Sequence, residues 1–360
     1  MSTLAIFLPS LAGGGAERAM LNLARGFRDL GHAVELVVAS ATGPYCDDLP
    51  AGVRLIDLGS PRVIRALPGL ARYLRRRRPD RLYAAMEHAN LVALWARTLA
   101  RVPTRIIVSV RDSGTGPVGR RDLRQRLCLP LARRFYPGAD AIVAVSDGTA
   151  DIAAAELGLA RSRIAAVPNP VITPDLAARA AEPPCHPWLT DAGSPVILAA
   201  GRLTPQKDFP TLLRAFAILR ARRAARLLIL GEGPDRAALE SLAASLGVAA
   251  DTALPGFAAN PFACMARAAA FALSSLYEGS PNVLVQALAC GAPVVSTDCP
   301  SGPAEILNGV AQGRLVPVGD PAAMATALEA VLDLQRPLPT PPLERFDYLA
   351  AARGYLAVVP

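Results

Sequence analysis

Cationic and carboxylate side chains recur at turns that follow apolar runs in the second half of this 360-residue chain, a placement suited to a phosphorylated ligand. The run Gly201-Arg202-Leu203-Thr204-Pro205-Gln206-Lys207-Asp208 follows the apolar stretch Val196 to Ala200. It leads into Leu212, Ala215, Phe216 and Leu219, a stripe at helical spacing. Two cations at a strand-to-helix turn could hold a diphosphate, because helix N-termini present backbone N–H groups and a positive dipole end. The plainer reading is a pair of solvated charges. The run Glu278-Gly279-Ser280-Pro281-Asn282-Val283 follows Ala270 to Leu273. Ser280 reads as an N-cap and Pro281 as the first helical residue, which leaves the N–H groups of Asn282 and Val283 for an anion. An ordinary capped helix closed by Gly291 accounts for the cap. It does not account for Glu278, whose carboxylate could accept hydrogen bonds from sugar hydroxyls.

Two further loops are weaker signals. Leu254-Pro255-Gly256-Phe257-Ala258-Ala259-Asn260 could offer backbone groups and an aromatic face to a base, and Gly231-Glu232-Gly233 turns after another apolar run. A glycine-x-glycine turn of this kind is more often structural than functional. In the first half, Gly13-Gly14-Gly15 follows the run Leu4 to Leu8, but it is not the G-x-G-x-x-G pattern of dinucleotide binding. His88 and Asn90 follow Leu82 to Ala85, where they are expected to face the same ligand. His32, after a helix, and His186, in a proline-rich stretch, are not favoured.

These residues need a scaffold that gathers post-strand loops. Both halves alternate short apolar runs with helical patterns, as parallel sheets built from βαβ units do. Strands are expected at Leu4–Leu8, Val34–Val38, Leu82–Ala85, Arg105–Ser109, Ala141–Val145 and Ile164–Val167. A second series is expected at Val196–Ala200, Leu227–Leu230, Thr252–Leu254, Ala270–Leu273, Val294–Thr297 and Arg314–Val316. Prolines 168, 170, 174, 183, 184 and 187 resist helix and central strand and mark a linker. The expected organisation is an α/β chain of two Rossmann-like parallel-sheet domains facing a cleft. Residues 1–170 form an acceptor-binding domain, 171–193 the linker and 194–342 a nucleotide-sugar-binding domain. Residues 343–360 form a terminal helix available to cross back onto the first domain.

The motifs in order resemble the family-4 retaining glycosyltransferases of the GT-B fold over nearly the whole chain. The series is Gly-Arg-Leu-x-x-x-Lys from Gly201, Leu-Gly-Glu-Gly-Pro from Leu230, Pro-Gly-Phe-x-x-Asn-Pro from Pro255 and Glu-Gly-Ser-Pro-Asn-Val-Leu-Val from Glu278. The resemblance implies that Arg202 and Lys207 hold a donor diphosphate, that the Phe257 loop receives the base, and that Glu278 addresses the donor sugar. It implies that Gly14-Gly15-Ala16-Glu17-Arg18 is the family's glycine loop beside donor and acceptor. A lone loop histidine is usually incidental, but the location of His88 after the run Leu82 to Ala85 makes a contact with the sugar the expectation. The assigned site is therefore Arg202, Lys207, Glu278 and His88 for catalysis. Gly14, Gly15, Gly201, Glu232, Gly256, Phe257, Asn260, Gly279, Ser280, Pro281, Asn282, Val283 and Gln286 contact the donor. One departure stands out: the family usually has a second glutamate eight positions after the first, bonding the ribose, and here that position is Gln286. Gln accepts through its amide oxygen but lacks the charge that strengthens such a bond.

Composition bounds the partners. With 52% apolar residues the chain can bury two cores. Its apolar runs are too short to span a bilayer, and Met1 to Leu8 lacks the basic start of a signal peptide. A cytoplasmic protein is expected, with peripheral attachment at the inner face of the membrane. The six cysteines are scattered and read as reduced, mostly core thiols with no zinc or disulfide pattern. Residues 1–170 carry 24 arginines against 14 acids, +10, while residues 171–360 carry 14 basic and 16 acidic residues, −2. The basic half, with Arg75-Arg76-Arg77-Arg78 at a helix end, suits an anionic membrane or a pyrophosphate-linked lipid. A solvated arginine-rich surface explains it too, since Lys207 is the only lysine. Nucleic acid is disfavoured by 5% aromatics and the lack of a recognisable motif. The expected substrates are a UDP- or GDP-type nucleotide sugar and a glycan or lipid-linked acceptor, with no cofactor and no metal. An epimerase or phosphorylase on the same fold, or a donor-binding partner without turnover, are the alternatives.

Overall fold

The computed structural model describes residues 2–111, 123–190, 193–335 and 338–359. They form two compact units, Met1–Thr173 with Glu344–Pro360, and Pro174–Leu343.

In the first unit, seven parallel strands lie in the order β3-β2-β1-β4-β5-β6-β7. They are β1 (Thr3–Leu8), β2 (Ala33–Val38), β3 (Arg54–Asp57), β4 (Arg81–Ala85), β5 (Arg105–Val110), β6 (Ala141–Ala144) and β7 (Ile164–Ala166). Register runs from Thr3 opposite Ala33 to Leu8 opposite Val38 between β1 and β2, and from Leu4 opposite Arg81 to Phe7 opposite Ala84 between β1 and β4. Side chains alternate between two apolar layers. Leu4, Ile6 and Leu8 pack with Met20, Leu23 and Phe27 of the helix Gly15–Asp29. Ala5 and Phe7 belong to the opposite layer with Leu70, Leu74, Leu91 and Leu94. A parallel sheet covered on both faces requires this continuous apolar reading. The strand β3 had no such signal, because it is a four-residue edge with both ends exposed.

The terminal segment belongs to the first unit. Asp347 caps the helix Tyr348–Ala357 by accepting from the N–H groups of Leu349 and Ala350 at 2.9 and 3.1 Å. Gly26 permits its close approach, since a Cβ there would lie 2.7 Å from the Tyr348 carbonyl oxygen. Tyr355 is fully buried, with its hydroxyl 3.1 Å from Ser109 Oγ.

In the second unit, six parallel strands lie in the order β10-β9-β8-β11-β12-β13. They are β8 (Val196–Ala200), β9 (Arg226–Leu230), β10 (Thr252–Gly256), β11 (Ala270–Leu273), β12 (Val294–Thr297) and β13 (Gly313–Val316). Ile197 and Ala199 of β8 and Leu227 and Ile229 of β9 pack with Leu212, Phe216, Leu239, Met324 and Leu328, so the stripe read after Lys207 is core. The proline-rich stretch expected as a linker, 171–193, contains the division between the units. From Pro174 it joins the second unit, and Leu176–Ala181 is helical, with the Arg179 guanidinium 4.7 Å over the Phe262 ring. Pro174, Pro183 and Pro184 flank that helix, where a missing N–H does no harm.

Candidate functional site

Strand order reverses between β1 and β4 in one sheet and between β8 and β11 in the other. Loops leaving the carboxyl ends of such a strand pair splay apart, and the crevice between them is where open α/β sheets bind ligands. Every cation and carboxylate singled out in the second half leaves the carboxyl end of a strand of the second sheet.

In the second unit the β8 and β11 loops are joined. Lys207 Nζ donates to Glu278 Oε1 at 2.5 Å, with the two side chains 15% and 9% exposed. Ser275 Oγ donates to the same oxygen at 2.6 Å, Ser274 Oγ to the Lys207 carbonyl at 2.7 Å, and Ser301 Oγ to the Glu278 carbonyl at 2.6 Å. Thr297 Oγ1 donates to the Ser275 carbonyl at 2.6 Å. The Glu278 carboxylate is thus a fixed acceptor for Lys207 and Ser275, and hydroxyls from the ends of β11 and β12 hold the backbone around it. Cys299 is close by; burial first, then the Glu278 charge, pushes its thiol up to about 12, so it stays neutral. Arg202, on the same loop as Lys207, is exposed, and its guanidinium has no partner among the described residues.

The remaining loops stack on the first. Gly201 N–H donates to the Leu230 carbonyl, Leu203 N–H to the Glu232 carbonyl and Gly231 N–H to the Gly256 carbonyl, at 2.8 to 2.9 Å. A Cβ at Gly231 would lie 1.9 Å from the Gly201 carbonyl oxygen, and one at Gly233 would lie 2.3 Å from that of Leu203. The Gly-Glu-Gly turn therefore seats the Arg202 loop. Glu232 is turned to Arg236 in a two-pronged ion pair at 2.8 and 3.1 Å; that bond, outweighing its desolvation, holds its carboxyl below the usual range. Gly256 is left-handed, with φ 98, and Phe257 beyond it is 58% exposed, an apolar face open to a planar ligand. Asn260 is engaged elsewhere: its Nδ2 donates to the Arg179 carbonyl and Glu182 Oε2 at 2.8 and 2.7 Å.

The helix after Glu278 corrects the expected boundary. It spans Asn282–Ala289 with Pro281 in the cap position and no side-chain cap from Ser280. Its entry is held extended by packing, since a Cβ on Gly302 would lie 2.8 Å from Pro281 Cδ and 3.0 Å from the Gly279 carbonyl oxygen. Asn282 and Val283 open the helix. Gln286 lies one turn on, buried, and its side-chain amide makes no hydrogen bond among the described residues.

In the first unit, Gly14 is the N-cap of the helix Gly15–Asp29 without a side-chain bond. A Cβ on Gly14 would lie 2.4 Å from Glu17 Oε2, so the glycine lets the buried Glu17 fold over the turn. Arg18 pairs with Asp48 at 2.5 Å and lies 4.0 Å over the Tyr45 ring, whose hydroxyl donates to the Gly13 carbonyl. Across the reversal point, Met86 takes a left-handed φ of 79 before the helix Glu87–Ala100, where His88 is exposed in the first turn. Strained non-glycine backbone of this kind concentrates at functional sites. Asn90 does not face a ligand as expected. It is fully buried, donating to the Ser109 carbonyl and the Tyr136 hydroxyl at 3.0 and 2.9 Å, because it lies on the core side of the helix.

Sequence reasoning missed the hydroxyls that hold Glu278 and its loop, since Ser274-Ser275 is an ordinary dipeptide until folding brings it under Lys207. It also missed Arg111 at the end of β5. This half-buried guanidinium is held by Asn169 Oδ1 at 2.8 Å and Met20 Sδ at 2.9 Å, both neutral acceptors. Among the described residues no three His, Cys, Asp or Glu side chains come together as a metal-ligand group.

Comparison with known proteins fits this geometry. Residues 14–170 match the glycosyl transferase 4-like domain, and residues 194–333 match glycosyl transferases group 1. A relative in Campylobacter jejuni is 28% identical over 92% of this chain and 91% of its own length. It is the N-acetylgalactosamine-N,N'-diacetylbacillosaminyl-diphospho-undecaprenol 4-alpha-N-acetylgalactosaminyltransferase. The lipopolysaccharide core biosynthesis glycosyltransferase LpsD of Rhizobium meliloti is 25% identical over 89% of this chain and 85% of its own. Among solved structures, Anabaena HepE in complex with UDP and glucose is similar with a TM-score of 0.78, 20% identity and 99% coverage of both chains. WaaG, a glycosyltransferase involved in lipopolysaccharide biosynthesis, has a TM-score of 0.71 at 19% identity, covering 98% of this chain and 95% of its own.

Proposed function

The chain belongs to the family-4 glycosyltransferases of the GT-B fold, and from that premise we propose that it is a retaining, metal-independent hexosyltransferase. Its donor is a UDP- or GDP-linked sugar and its acceptor a glycan or lipid-linked glycan. The observation that carries this reading is the contact of Lys207 with Glu278, 2.5 Å apart at the strand-order reversal, with the unpartnered Arg202 on the same loop. A donor diphosphate would draw on Arg202 and Lys207, the first strand's two post-loop cations, and Phe257 would lie against the base. Glu278, fixed by Ser275, would accept from sugar hydroxyls.

In the reaction the bond from the anomeric carbon to the diphosphate oxygen breaks and the acceptor hydroxyl forms its bond on the same face. The hydroxyl proton passes to the departing phosphate oxygen. Arg202 and Lys207 stabilise the charge that grows on that oxygen, the electrostatic role in which fixed cations are most effective. His88, exposed beside the strained Met86, is assigned to the sugar. The relatives that act on undecaprenyl-linked and lipopolysaccharide glycans support the acceptor class, and the neighbour carrying UDP and glucose supports the donor class.

A panel of UDP- and GDP-sugars, read as nucleoside diphosphate release with and without a chelator, tests the assignment. Release that disappears with chelator refutes metal independence. Epimerisation or phosphate-dependent cleavage in place of transfer refutes the activity.

Peripheral attachment to an anionic membrane is part of the proposal. No helix among the described residues is long and apolar enough to cross a bilayer. Arg72, Arg76 and Arg78 are exposed and make no ion pair among the described residues, while Arg77 is held by Glu35. The half-exposed Leu99 adjoins them through Arg75, which donates to its carbonyl at 2.6 Å. These residues lie at the amino edge of the first sheet, where Asp80 bonds Thr3, away from the Gly14 and His88 loops at the carboxyl edge. Attachment there would leave those loops uncovered.

A further inference from the structure

Two sulfur atoms meet in the second unit. Cys185 Sγ lies 2.8 Å from Cys264 Sγ, and the Cys185 backbone N–H donates to Cys264 Sγ at 3.4 Å. The two cysteines are 79 residues apart, so no spacing in the sequence announces them, and both are free thiols. We propose that Cys185 and Cys264 are a reversible redox modification site that closes to an intramolecular disulfide.

The geometry favours closure over other oxidation products. Cys185 is exposed and open to an oxidant, while Cys264 is buried in the helix Pro261–Met265 directly beneath it. Their two segments are already stitched together. Asn260 Nδ2 donates to the Arg179 carbonyl at 2.8 Å, Arg179 to the Ala259 carbonyl at 2.9 Å and Arg267 to the Ala180 carbonyl at 3.1 Å. The backbone therefore has little distance to move, which is the usual obstacle to a new disulfide. Burial, then the bond to Cys185, pushes the Cys264 thiol up to about 12. At neutral pH it keeps its proton and can donate it toward Cys185 Sγ.

With hydrogen peroxide as oxidant, the Cys185 thiolate attacks one peroxide oxygen, the O–O bond breaks, and the leaving hydroxide takes up a proton as water. The resulting Cys185 sulfenic acid is attacked by Cys264 sulfur. The S–S bond forms, the S–O bond breaks, and the hydroxyl departs with the Cys264 proton as a second water. Two thiols lose two electrons and one peroxide gains them. A dithiol reductant reverses the change by thiol–disulfide exchange. The other four cysteines show no sulfur–sulfur contact among the described residues and stay reduced.

The test treats the full-length protein with one equivalent of hydrogen peroxide, alkylates it in denaturant and maps its peptides by mass spectrometry. The expected product is one linked peptide pair holding Cys185 and Cys264, about 2 Da lighter than the reduced pair and restored by dithiothreitol. Free thiols should fall from six to four, since the bond consumes two. Cys264→Ser should trap Cys185 as a sulfenic acid that dimedone labels, whereas the wild type labels weakly. Because Cys264 is buried, Cys185→Ser at the exposed partner is the second variant, and it should show no linked pair and keep five alkylatable cysteines, six less the one replaced. Oxidation of wild-type Cys185 to sulfinic acid with Cys264 still alkylatable, or equal dimedone labelling of wild type and Cys264→Ser, overturns the proposal.

Discussion

Replacing Lys207 separates its contact with Glu278 from the donor-binding role proposed for it. Lys207 and Glu278 are 15% and 9% exposed and 2.5 Å apart, so Lys207→Ala strands a carboxylate that keeps the Ser275 hydroxyl but loses its cation. Breaking a fully buried pair costs about 3–5 kcal/mol, and partial solvent access here reduces that to about 1–3 kcal/mol. For a unit of this size, each kcal/mol lowers the unfolding midpoint by about 2–4 °C, so a fall of roughly 4–8 °C is expected from the middle of that range. Pairing Lys207→Met with Glu278→Gln removes both charges while keeping most of the volume, and stability should return to near wild type. Donor binding should not return, because the cation is absent in both. Calorimetric unfolding of the wild type and the two variants, with titration of UDP and GDP, measures both quantities. If the double variant stays as unstable as Lys207→Ala, the pair does not set the stability. If it binds nucleotide like the wild type, Lys207 does not meet the diphosphate.

Arg202→Ala should leave the unfolding midpoint unchanged, since the side chain is exposed and unpartnered, while weakening nucleoside diphosphate binding by about 1.5–3 kcal/mol; unchanged affinity by calorimetry removes Arg202 from the site. Gln286→Glu should tighten binding of the bare diphosphate by about 1 kcal/mol if the buried, unbonded amide meets the ribose, and no change with any nucleotide removes Gln286 from the donor. Flotation with anionic vesicles at low salt should recover the protein, each unpaired surface arginine adding roughly 1 kcal/mol, and Arg76→Ala with Arg78→Ala should reduce recovery; equal recovery with neutral vesicles refutes attachment. Burial pushes the Glu35 carboxyl up, but hydrogen bonds from Arg77 and Tyr73 and the charges of Arg77 and Arg54 outweigh it and hold its carboxyl below the usual carboxylate range. A lowered folded pKa adds stability above the unfolded value that is lost as pH falls through the folded one. Acid unfolding of Glu35→Gln should therefore show a weaker pH dependence below the ordinary carboxylate range, and curves parallel to wild type would refute the linkage.

The sheets were legible because their strands are buried on both faces and so read as uninterrupted apolar runs, as at Val196–Ala200 and Val294–Thr297. Where burial is one-sided the signal fails, as at the edge strand β3, in which only Leu55 and Ile56 are even half-buried. Helix ends were less legible than helix existence. Ser280 and Pro281 have the composition of a cap, but Pro281 is extended with Gly302 packed against it, and the helix begins at Asn282. Asn90 and Asn260 show the same limit for side chains. Each follows a strand as a ligand-facing residue would, and each is instead spent on the fold, Asn90 beneath Tyr136 and Asn260 on the helix Leu176–Ala181.

The separation in sequence of the groups that meet explains which part of the site could be read. A loop such as Gly201 to Asp208 carries its meaning within eight residues, because one strand end and one helix start fix where its cations go. Glu278 lies 71 residues from Lys207, and nothing local to either reports the contact. The strand order does. Since β8 and β11 are neighbours at the point where the order reverses, the first loop of the unit must lie beside the loop after β11. Any cation on one and any carboxylate on the other are then brought within reach. The Ser275 hydroxyl holds the carboxylate itself, while Ser301 and Thr297, from the end of β12, hold the backbone of Glu278 and Ser275 in the loop after β11. A site so built is stiff before its ligand arrives, which is the condition under which placed charges stabilise a departing phosphate at little reorganisation cost.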